Sequence, residues 1–303
     1  MKNILVIGGT GFLGTAIVRE LARRPASADF CFTLPTRRRD SAKHLLVLPT
    51  VRLFDADVHD PETLARLMVG QDAVISLVGV LKGGEGEPYG KGFARAHVEL
   101  PQKIVTAAKA VGVRRVLHVS ALKAAADAPS GYLRSKAAGE AVLQKAGLDL
   151  TLFRPSVIFG PGDAFLTLFA QLAKIAPVFP LAGADARFQP VWVEDVVAAV
   201  ADSLLRPESI GCTYDLCGPK QYSLRQLVSY AAAVSGHPRV VIGLPEAIAW
   251  LQAWAMEFIP NGPMTRDNIR SMRIASVCDA GCTLPFGRIA TALEVIAPTY
   301  LHS

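Results

Sequence analysis

The 303-residue chain is predicted to fold as an α/β protein with a doubly wound parallel sheet. In its first half, short apolar runs alternate with amphipathic helical patterns, the repeat that builds such sheets. A glycine-rich turn follows the first apolar run, at the point where a strand would lead into a helix. The composition, 51% hydrophobic and 19% charged residues, supplies enough apolar side chains for one large or two modest domains.

The first strand and its turn predict a nucleotide site. Residues 4–7 form an apolar run, and Gly8-Gly9-Thr10-Gly11-Phe12-Leu13-Gly14 comes next. In this spacing Gly8 allows a tight turn, Gly11 lets the backbone approach a pyrophosphate, and Gly14 lets the following helix pack closely on the strand. The N-terminus of that helix would face the anion with free N–H groups. We therefore expect a Rossmann dinucleotide site rather than a purely structural turn, with contacts from Gly8, Thr10, Gly11, Phe12, Leu13 and Gly14.

The second predicted strand, residues 30–34, indicates which dinucleotide is preferred. It ends in Pro35-Thr36-Arg37-Arg38-Arg39, about 20 residues past the glycines, where an NAD site holds an Asp or Glu for the ribose 2′-hydroxyl. No acid stands there, since Asp40 lies too far along. Arg37 or Arg38 could bind a 2′-phosphate through charge-assisted, planar hydrogen bonds. NADP(H) is therefore favoured over NAD(H), and a solvated basic loop is the alternative.

The remaining pattern extends the sheet. Apolar runs predict strands at 51–54, 73–76 and 116–119, and amphipathic patterns predict helices at 61–68 and 93–110. Pro101 should kink or break the longer helix, because it lacks a backbone N–H and crowds the preceding turn. The glycine-rich stretch 82–86 is expected to be a mobile loop over the cofactor cleft.

The chain divides into two predicted parts. Residues 1–158 form the NADP(H)-binding Rossmann domain, residues 191–203 return to it, and residues 159–303 form a smaller substrate- or partner-binding part. In the returning segment, Glu194 and Asp195 open an apolar helix, and Asp195 is expected to be its N-cap rather than a catalytic acid.

Candidate catalytic residues follow the fifth strand. Ser120 ends that strand, and Tyr132 and Lys136 lie one turn apart on the next predicted helix, so their side chains share one face. A phenol has a pKa of about 10, and an adjacent ammonium would lower it by stabilising the phenolate. Tyr132 could then exchange a proton with a substrate oxygen held by Ser120, while Lys136 anchors the nicotinamide ribose. A structural tyrosine beside a surface lysine is the alternative.

Taken together, these motifs resemble the extended or atypical short-chain dehydrogenases/reductases over almost the whole chain. The resemblance rests on the glycine turn, the Ser120, Tyr132 and Lys136 set, RPSVIFGPGD at 154–163 and VWVEDV at 191–196. Within that superfamily, the chain resembles the NADPH-binding accessory subunits of respiratory complex I and their bacterial relatives. The segments concerned are PTRR at 35–38, YLRSK at 132–136, FQPVWVEDV at 188–196 and MTRDNIRSM at 264–272.

The resemblance implies further cofactor contacts. Asp57 and Val58 would hold the adenine, and the cofactor would be lined by Leu77, Val78, Gly79 and Pro155. The chain departs from the family pattern at two positions. His97 stands where many extended members carry Asn, and the catalytic helix begins Tyr-Leu rather than Tyr-Gly.

The composition argues against several partners. A net charge of +6 and a pI near 9.1 would suit phosphate-bearing ligands, but the basic residues are dispersed and no nucleic-acid motif accompanies them. Five cysteines without a Cys-x-x-Cys pair and six scattered histidines predict free, mostly buried thiols and no metal. The first residues lead into a strand rather than a signal-type apolar core, which favours a cytoplasmic protein.

A helical apolar stripe lies near residue 250, with Trp250 beside it; its members are Ile248, Leu251, Trp254, Ala255, Phe258 and Ile259. Arg266, Arg270 and Arg273 follow at one-turn spacings. The stripe could contact a lipid, a quinone or a membrane-bound complex, which would place the protein peripherally at the inner face of the membrane. The alternative, a helix packed on its own domain above a solvated arginine face, is the more usual arrangement, because amphipathic helices generally face a core.

Three functions fit the sequence. The first is an NADP(H)-dependent oxidoreductase acting on a carbonyl or alcohol, which the complete catalytic set favours. The second is a scaffold subunit that binds NADPH without turnover. The third is a sugar-nucleotide epimerase or dehydratase, for which the chain is short and lacks a nucleotide-sugar motif. The substrate stays open, because no motif in the C-terminal half has readable chemistry.

Overall fold

The computed structural model describes residues 2–259 and 262–302. In it, seven strands form one sheet in which every neighbouring pair is parallel. Helices cover both faces of this sheet, and three two-stranded ladders lie outside it. The predicted α/β class, a doubly wound Rossmann sheet, is confirmed.

The strands of the described residues are β1 Asn3–Ile7, β2 Cys31–Thr36, β3 Val51–Asp55, β4 Ala73–Ser76, β5 Arg115–Val119, β6 Asp149–Pro155, β7 Ile158–Phe159, β8 Val178–Leu181, β9 Arg187–Phe188, β10 Val191–Trp192, β11 Thr213–Leu216, β12 Tyr222–Ser223 and β13 Val240–Gly243. The helices are α1 Phe12–Arg23, α2 Pro61–Met68, α3 Lys91–Phe93, α4 Leu100–Val111, α5 Gly131–Gln144, α6 Leu166–Ile175, α7 Val193–Leu205, α8 Leu224–Val234, α9 Glu246–Glu257, α10 Arg266–Ser271, α11 Leu293–Ile296 and α12 Pro298–Leu301.

The order of strands in the sheet is β3-β2-β1-β4-β5-β6-β11. The chain runs from β1 through β2 to β3 on one side, and then returns to the other side of β1 for β4. The order therefore reverses between β1 and β4, where a crevice outside the carboxyl ends of the strands binds ligands in folds of this kind. β11 extends the sheet beside β6 and was not among the predicted strands.

Both faces of the sheet are buried. In β1, Ile4 and Val6 face one apolar layer that includes α1 and α7, whereas Leu5 and Ile7 face the other, which includes α2 and α4. Strands buried on both faces need apolar side chains at successive positions, which explains the unbroken apolar runs in the sequence.

The long helix predicted at 93–110 is interrupted. α3 leads into a wider, π-helical turn at Ala94–Glu99, and α4 begins at Leu100. Pro101 therefore lies in the first turn of α4, where the missing N–H is tolerated. The break expected at Pro101 is confirmed, and it takes the form of a π-helical turn.

Two sequence expectations are wrong. α7 begins without a side-chain cap, and the Asp195 carboxylate accepts hydrogen bonds from the Thr291 N–H (2.7 Å) and hydroxyl (3.2 Å) instead. Cys217 and Cys278, 61 positions apart, form a disulfide, so the five thiols are not all free. In both cases the partner comes from a distant part of the chain, and no local pattern announces it.

The apolar stripe of α9 lies on the surface. Within α9 the buried residues are Ala249 and Ala253, whereas Trp254 is 46% and Phe258, just beyond the helix, 72% exposed. The alternative of a stripe packed into its own domain is therefore wrong. Each of the arginines that follow it is paired with a carboxylate of the protein: Arg266 with Glu257, Arg270 with Glu85, and Arg273 with Glu246.

Within residues 2–259 and 262–302, each helix is too short or too polar to cross a membrane. Over the same residues, His, Cys, Asp and Glu side chains do not come together in a group of three that could hold a metal ion.

Candidate active site

The predicted site residues meet at one edge of the sheet, because the carboxyl ends of its parallel strands all lie on the same side. Each group follows a different strand: the glycine turn follows β1, Arg37 and Arg38 follow β2, Asp57 and Val58 follow β3, residues 77–79 follow β4, Ser120 follows β5, and Pro155 ends β6. Segments that are far apart in sequence therefore line one crevice.

Close backbone packing shapes the glycine turn. Gly8 has a φ of +85°, and a Cβ there would lie 3.3 Å from Leu77. A Cβ at Gly14 would lie 2.3 Å from the Gly8 carbonyl oxygen, so only glycine lets α1 pack on the turn. A Cβ at Gly11 would meet only the Gly8 oxygen, at an ordinary 3.4 Å. The fold thus requires glycine at Gly8 and Gly14, whereas at Gly11 it leaves open space.

The segment after β4 connects the glycine turn to the catalytic helix. The Leu77 N–H donates to the Ile7 carbonyl at 2.9 Å, beside Gly8. Two residues on, a Cβ at Gly79 would lie 3.3 Å from Nζ of Lys136. That Nζ donates to the Val119 carbonyl at 3.3 Å, at the end of β5. Lys136 therefore lies buried between the segments that leave β4 and β5.

The ends of β2 and β3 carry exposed charge. Arg37 and Arg38 are exposed, and neither forms an ion pair in the part of the chain that the structure describes. Asp57 accepts the His59 N–H at 3.0 Å and lies 3.5 Å from a guanidinium nitrogen of Arg95. Burial and then the charge of Arg95 lower the pKa of His59, and Arg37 contributes to the shift. Asp57 opposes this shift, so both signs of charge act at this end of the sheet.

α5 carries Tyr132 and Lys136, the predicted catalytic pair, and Lys136 reaches the end of β5, next to Ser120. The helix is capped by Ser130, whose Oγ accepts the Leu133 N–H at 3.2 Å, so Tyr132 lies in its first turn and Lys136 one turn on. The Ser120 N–H donates to the Phe153 carbonyl at 2.7 Å, but the buried Ser120 Oγ has no hydrogen-bond partner. Buried hydroxyls are nearly always paired, so this one is available to a ligand.

Burial changes the ionisation of the pair. It raises the pKa of Tyr132 to about 12 and lowers the pKa of Lys136 to about 8. Both shifts favour the neutral form, as desolvation does. The expectation that Lys136 lowers the pKa of Tyr132 is therefore wrong for this structure, in which desolvation of the phenol is the cause of the shift. Tyr132 is protonated near neutral pH and can act as a proton donor.

His97 is a site residue whose role the sequence analysis missed. It is buried in the π-helical turn, and its Nε2 accepts the Val80 N–H at 3.0 Å, so the ring proton is on Nδ1. Nδ1 lies 2.8 Å from Oγ of Ser135, which itself donates to the Tyr132 carbonyl at 2.7 Å. His97 thus connects the segment after β4 to the first turn of α5. The available signal was a histidine at a position where the family often has asparagine.

Comparison with known proteins assigns the family. The sequence profile of the NAD(P)H-binding family matches residues 8–162, just over half of the chain. This chain belongs to that NAD(P)H-binding family.

Similar proteins span most of the chain. The mitochondrial NADH dehydrogenase (ubiquinone) 1 alpha subcomplex subunit 9 of Rattus norvegicus is 30% identical over 284 residues, which cover 90% of this chain and 72% of the relative. Ceramide reductase of Caulobacter vibrioides is 30% identical over 259 residues, covering 83% of this chain and 78% of the relative. The NADPH-dependent quinone oxidoreductase of Escherichia coli, solved with NADPH, has a TM-score of 0.77 at 24% identity and covers 98% of this chain and 99% of its own. The resemblance inferred from the motifs is confirmed.

Proposed function

We propose that this protein is an NADP(H)-dependent oxidoreductase that transfers a hydride between the cofactor and a carbonyl or alcohol. The proposal rests on the Ser120 hydroxyl, which is buried and has no hydrogen-bond partner. Ser120 follows Val119, whose carbonyl accepts a hydrogen bond from Lys136. Leaving a buried hydroxyl unpaired costs about 1–3 kcal/mol, so a substrate oxygen that completes its hydrogen bonding is favoured there. Tyr132 and Lys136 supply the proton chemistry.

The crevice suits a dinucleotide. The open space at Gly11 and the N-terminus of α1, which has no acidic side chain in its first turn, suit a pyrophosphate. Arg37 and Arg38 would hold a 2′-phosphate, and the remaining contacts would come from Thr10, Phe12, Leu13, Asp57, Val58, Leu77, Val78, Gly79 and Pro155. When bound, NADPH supplies the hydride.

Tyr132 would act as the acid when a carbonyl is reduced. A pKa of about 12 keeps its hydroxyl protonated at neutral pH, so it would donate a proton to the carbonyl oxygen as that oxygen gains negative charge. Ser120 would donate a hydrogen bond to the same oxygen. The Lys136 ammonium would stabilise the phenolate left on Tyr132.

We further propose that the protein meets a lipid or a membrane surface through α9. Large exposed apolar patches usually mark contact sites, and this one includes Ile248, Leu251, Trp254, Phe258 and Ile259. The acidic residues at its two ends, Glu246 and Glu257, are neutralised by arginines, so this face carries little net charge. The relative named ceramide reductase acts on a lipid by its name, which agrees with this proposal.

A scaffold that binds NADPH without turnover is the second candidate, favoured by the 30% identity to a subunit of NADH dehydrogenase.

The first experiment measures cofactor binding. NADPH and NADH are titrated by fluorescence into the wild type and the Arg37→Ala/Arg38→Ala variant. Loss of a charge-assisted contact should weaken NADPH binding by about 1.5–3 kcal/mol and leave NADH unchanged. Equal affinity of the wild type for both cofactors would refute the NADP(H) preference.

Turnover is then followed by NADPH absorbance with ketones and quinones. Tyr132→Phe keeps the ring and removes the proton, so kcat should fall about 10²–10⁴-fold while NADPH affinity stays unchanged. Tyr230→Phe, in the apolar cluster of the C-terminal part, is the matched control and should keep wild-type kcat. A wild type that oxidises no carbonyl, although NADPH binds and raises its melting temperature, would favour the scaffold.

A further inference from the structure

We infer that Asp267 is a positioning residue for Tyr132, and that through it the order of the first turn of α5 depends on the packing of α10 against α5. The inference rests on the oxidoreductase function proposed above. It gives a role to the MTRDNIRSM segment, which neither the cofactor site nor the catalytic set uses.

The first turn of α5 is held by a carboxylate from a distant segment. The N–H groups of Gly131 and Tyr132 donate to Oδ1 and Oδ2 of Asp267 at 2.7 and 3.0 Å. The first N–H groups of a helix have no partners within the helix, and a negative charge there is favoured by the helix dipole. The backbone of Tyr132 itself is therefore bound to a residue 135 positions further along the chain.

Asp267 is fixed in turn by its own surroundings. Thr265 and Asn268 form a capping box at the start of α10, and Asp267 is only 6% exposed. Arg270, 3.7 Å from the Asp267 carboxylate, binds both oxygens of Glu85 at 3.0 Å. The carboxylate thus joins α10, the glycine-rich stretch 82–86 and the start of α5.

Movement of α10 away from α5 would remove both acceptors at once. The N–H groups of Gly131 and Tyr132 would then lose their partners, and the first turn of α5 would fray. Because Tyr132 lies in this turn, its hydroxyl would lose its fixed position. The tyrosine is therefore held for proton transfer only while α10 stays packed against α5.

The test compares two buried aspartates whose carboxylates accept hydrogen bonds from backbone N–H groups of distant segments. Asp267→Asn puts an amide N–H₂ group against a backbone donor of α5. Asp195→Asn makes the same change at Thr291, away from Tyr132, and is the matched control. Amide hydrogen exchange at residues 131 and 132, resolved by NMR, should become at least about tenfold faster only in Asp267→Asn. In the same variant kcat should fall about 10- to 100-fold, with an unchanged KM for NADPH.

Unchanged exchange at residues 131 and 132 in Asp267→Asn, or an equal fall of kcat in both variants, would overturn the inference. A wild type without turnover would refute only the oxidoreductase proposal, since the exchange measurement still decides whether Asp267 orders the helix. Should Asp267→Asn fail to fold, Glu85→Gln provides the second test. It releases Arg270 and loosens α10 without touching the carboxylate, so exchange should rise by a smaller factor; no rise would count against the inference.

Discussion

At the scale of single residues, the three glycines of the β1 turn serve two separate requirements. Gly8 and Gly14 allow backbone atoms to approach at distances that no side chain permits. Gly11 has room for a side chain and an ordinary φ of −81°. The sequence motif predicts all three positions but cannot separate the requirements, because the contacts that distinguish them come from the folded turn.

Gly11→Val should fold normally and lose NADPH. Its Cβ would come no closer than 3.4 Å to the Gly8 oxygen, and the side chain would occupy the space proposed for the pyrophosphate. Gly14→Val is the contrasting variant, and it should lower the free energy of unfolding because its Cβ would overlap the Gly8 oxygen. Urea unfolding and NADPH fluorescence measure the two properties. Wild-type NADPH affinity in Gly11→Val would show that the turn does not hold the phosphates.

Lys136 should make stability depend on pH in a defined direction. Its pKa falls from an ordinary 10.5 to about 8 on folding, so between these values the unfolded chain binds more protons at this site. The free energy of unfolding should therefore rise with pH through this window. The penalty of the buried ammonium, about 3 kcal/mol, is fully present below pH 8.

The measurement is urea unfolding near pH 7, which is below the folded pKa of Lys136 of about 8, and near pH 10, which approaches its ordinary pKa of 10.5. The difference in unfolding free energy between Lys136→Met and the wild type should be largest at the lower pH and shrink at the higher one. A constant difference across this range would mean that Lys136 keeps its ordinary pKa in the folded protein.

At the scale of elements, local signals predicted well where the structure is decided locally. The predicted helix at 61–68 is α2 to the residue, since Asp60 caps it, Pro61 begins it, and Leu64 and Met68 are buried one turn apart. β4 likewise matches the predicted strand at 73–76. In both, the chain carries its own start signal and its own apolar period.

Prediction failed where an element depends on a distant partner. The Asp195 carboxylate binds Thr291, 96 positions away, and Cys217 binds Cys278, 61 positions away. Pro101 announces the interruption of the helix, but the contacts of His97 in the π-helical turn with Val80 and Ser135 come from other segments of the chain. Ser120, Tyr132 and Lys136 could be proposed as catalytic residues from their spacing, but the contacts of Asp267 and His97 with α5 could not be predicted.

The π-helical turn should keep His97 neutral. Burial and then the charge of Lys136 lower the pKa of His97 to about 2. Its hydrogen bonds also require a neutral ring with the proton on Nδ1. ¹⁵N NMR between pH 5 and 8 should show an Nδ1–H tautomer that does not titrate in this range. Loss of the signal in His97→Gln assigns it to His97. A midpoint near 6.5 for His97 would contradict the hydrogen-bond assignment.

At the scale of the whole molecule, the residues proposed to bind the cofactor follow six strands and lie at one edge of the sheet. The C-terminal part adds an exposed apolar face. The link between them is short. α9 leads into α10, and α10 holds the first turn of α5 through Asp267. A substrate that reaches the protein from an apolar phase at α9 would therefore arrive one helix away from Tyr132.

The α9 face should bind neutral lipid bilayers. Burying a Leu or Phe side chain contributes about 1.5–3 kcal/mol, so Leu251→Asp or Phe258→Asp should lower the vesicle-bound fraction at least about tenfold. Ile289→Asp alters a residue that is 91% exposed outside this face, and it is the matched control. Because Arg266, Arg270 and Arg273 are already paired with carboxylates, binding should change little with anionic lipid or salt.

Co-sedimentation with phosphatidylcholine vesicles, with and without phosphatidylglycerol, measures these fractions at low and high salt. Tryptophan fluorescence should shift to the blue on binding, since Trp254 is half exposed in the free protein. Wild type that stays in the supernatant with both vesicle types would refute the membrane contact. Light scattering that instead shows a dimer, abolished by Phe258→Asp but not by Ile289→Asp, would assign the same face to a second copy of the chain. Membrane binding and dimer formation make different demands on this face. A bilayer offers apolar area without directional partners, whereas a second chain must match this helix residue by residue.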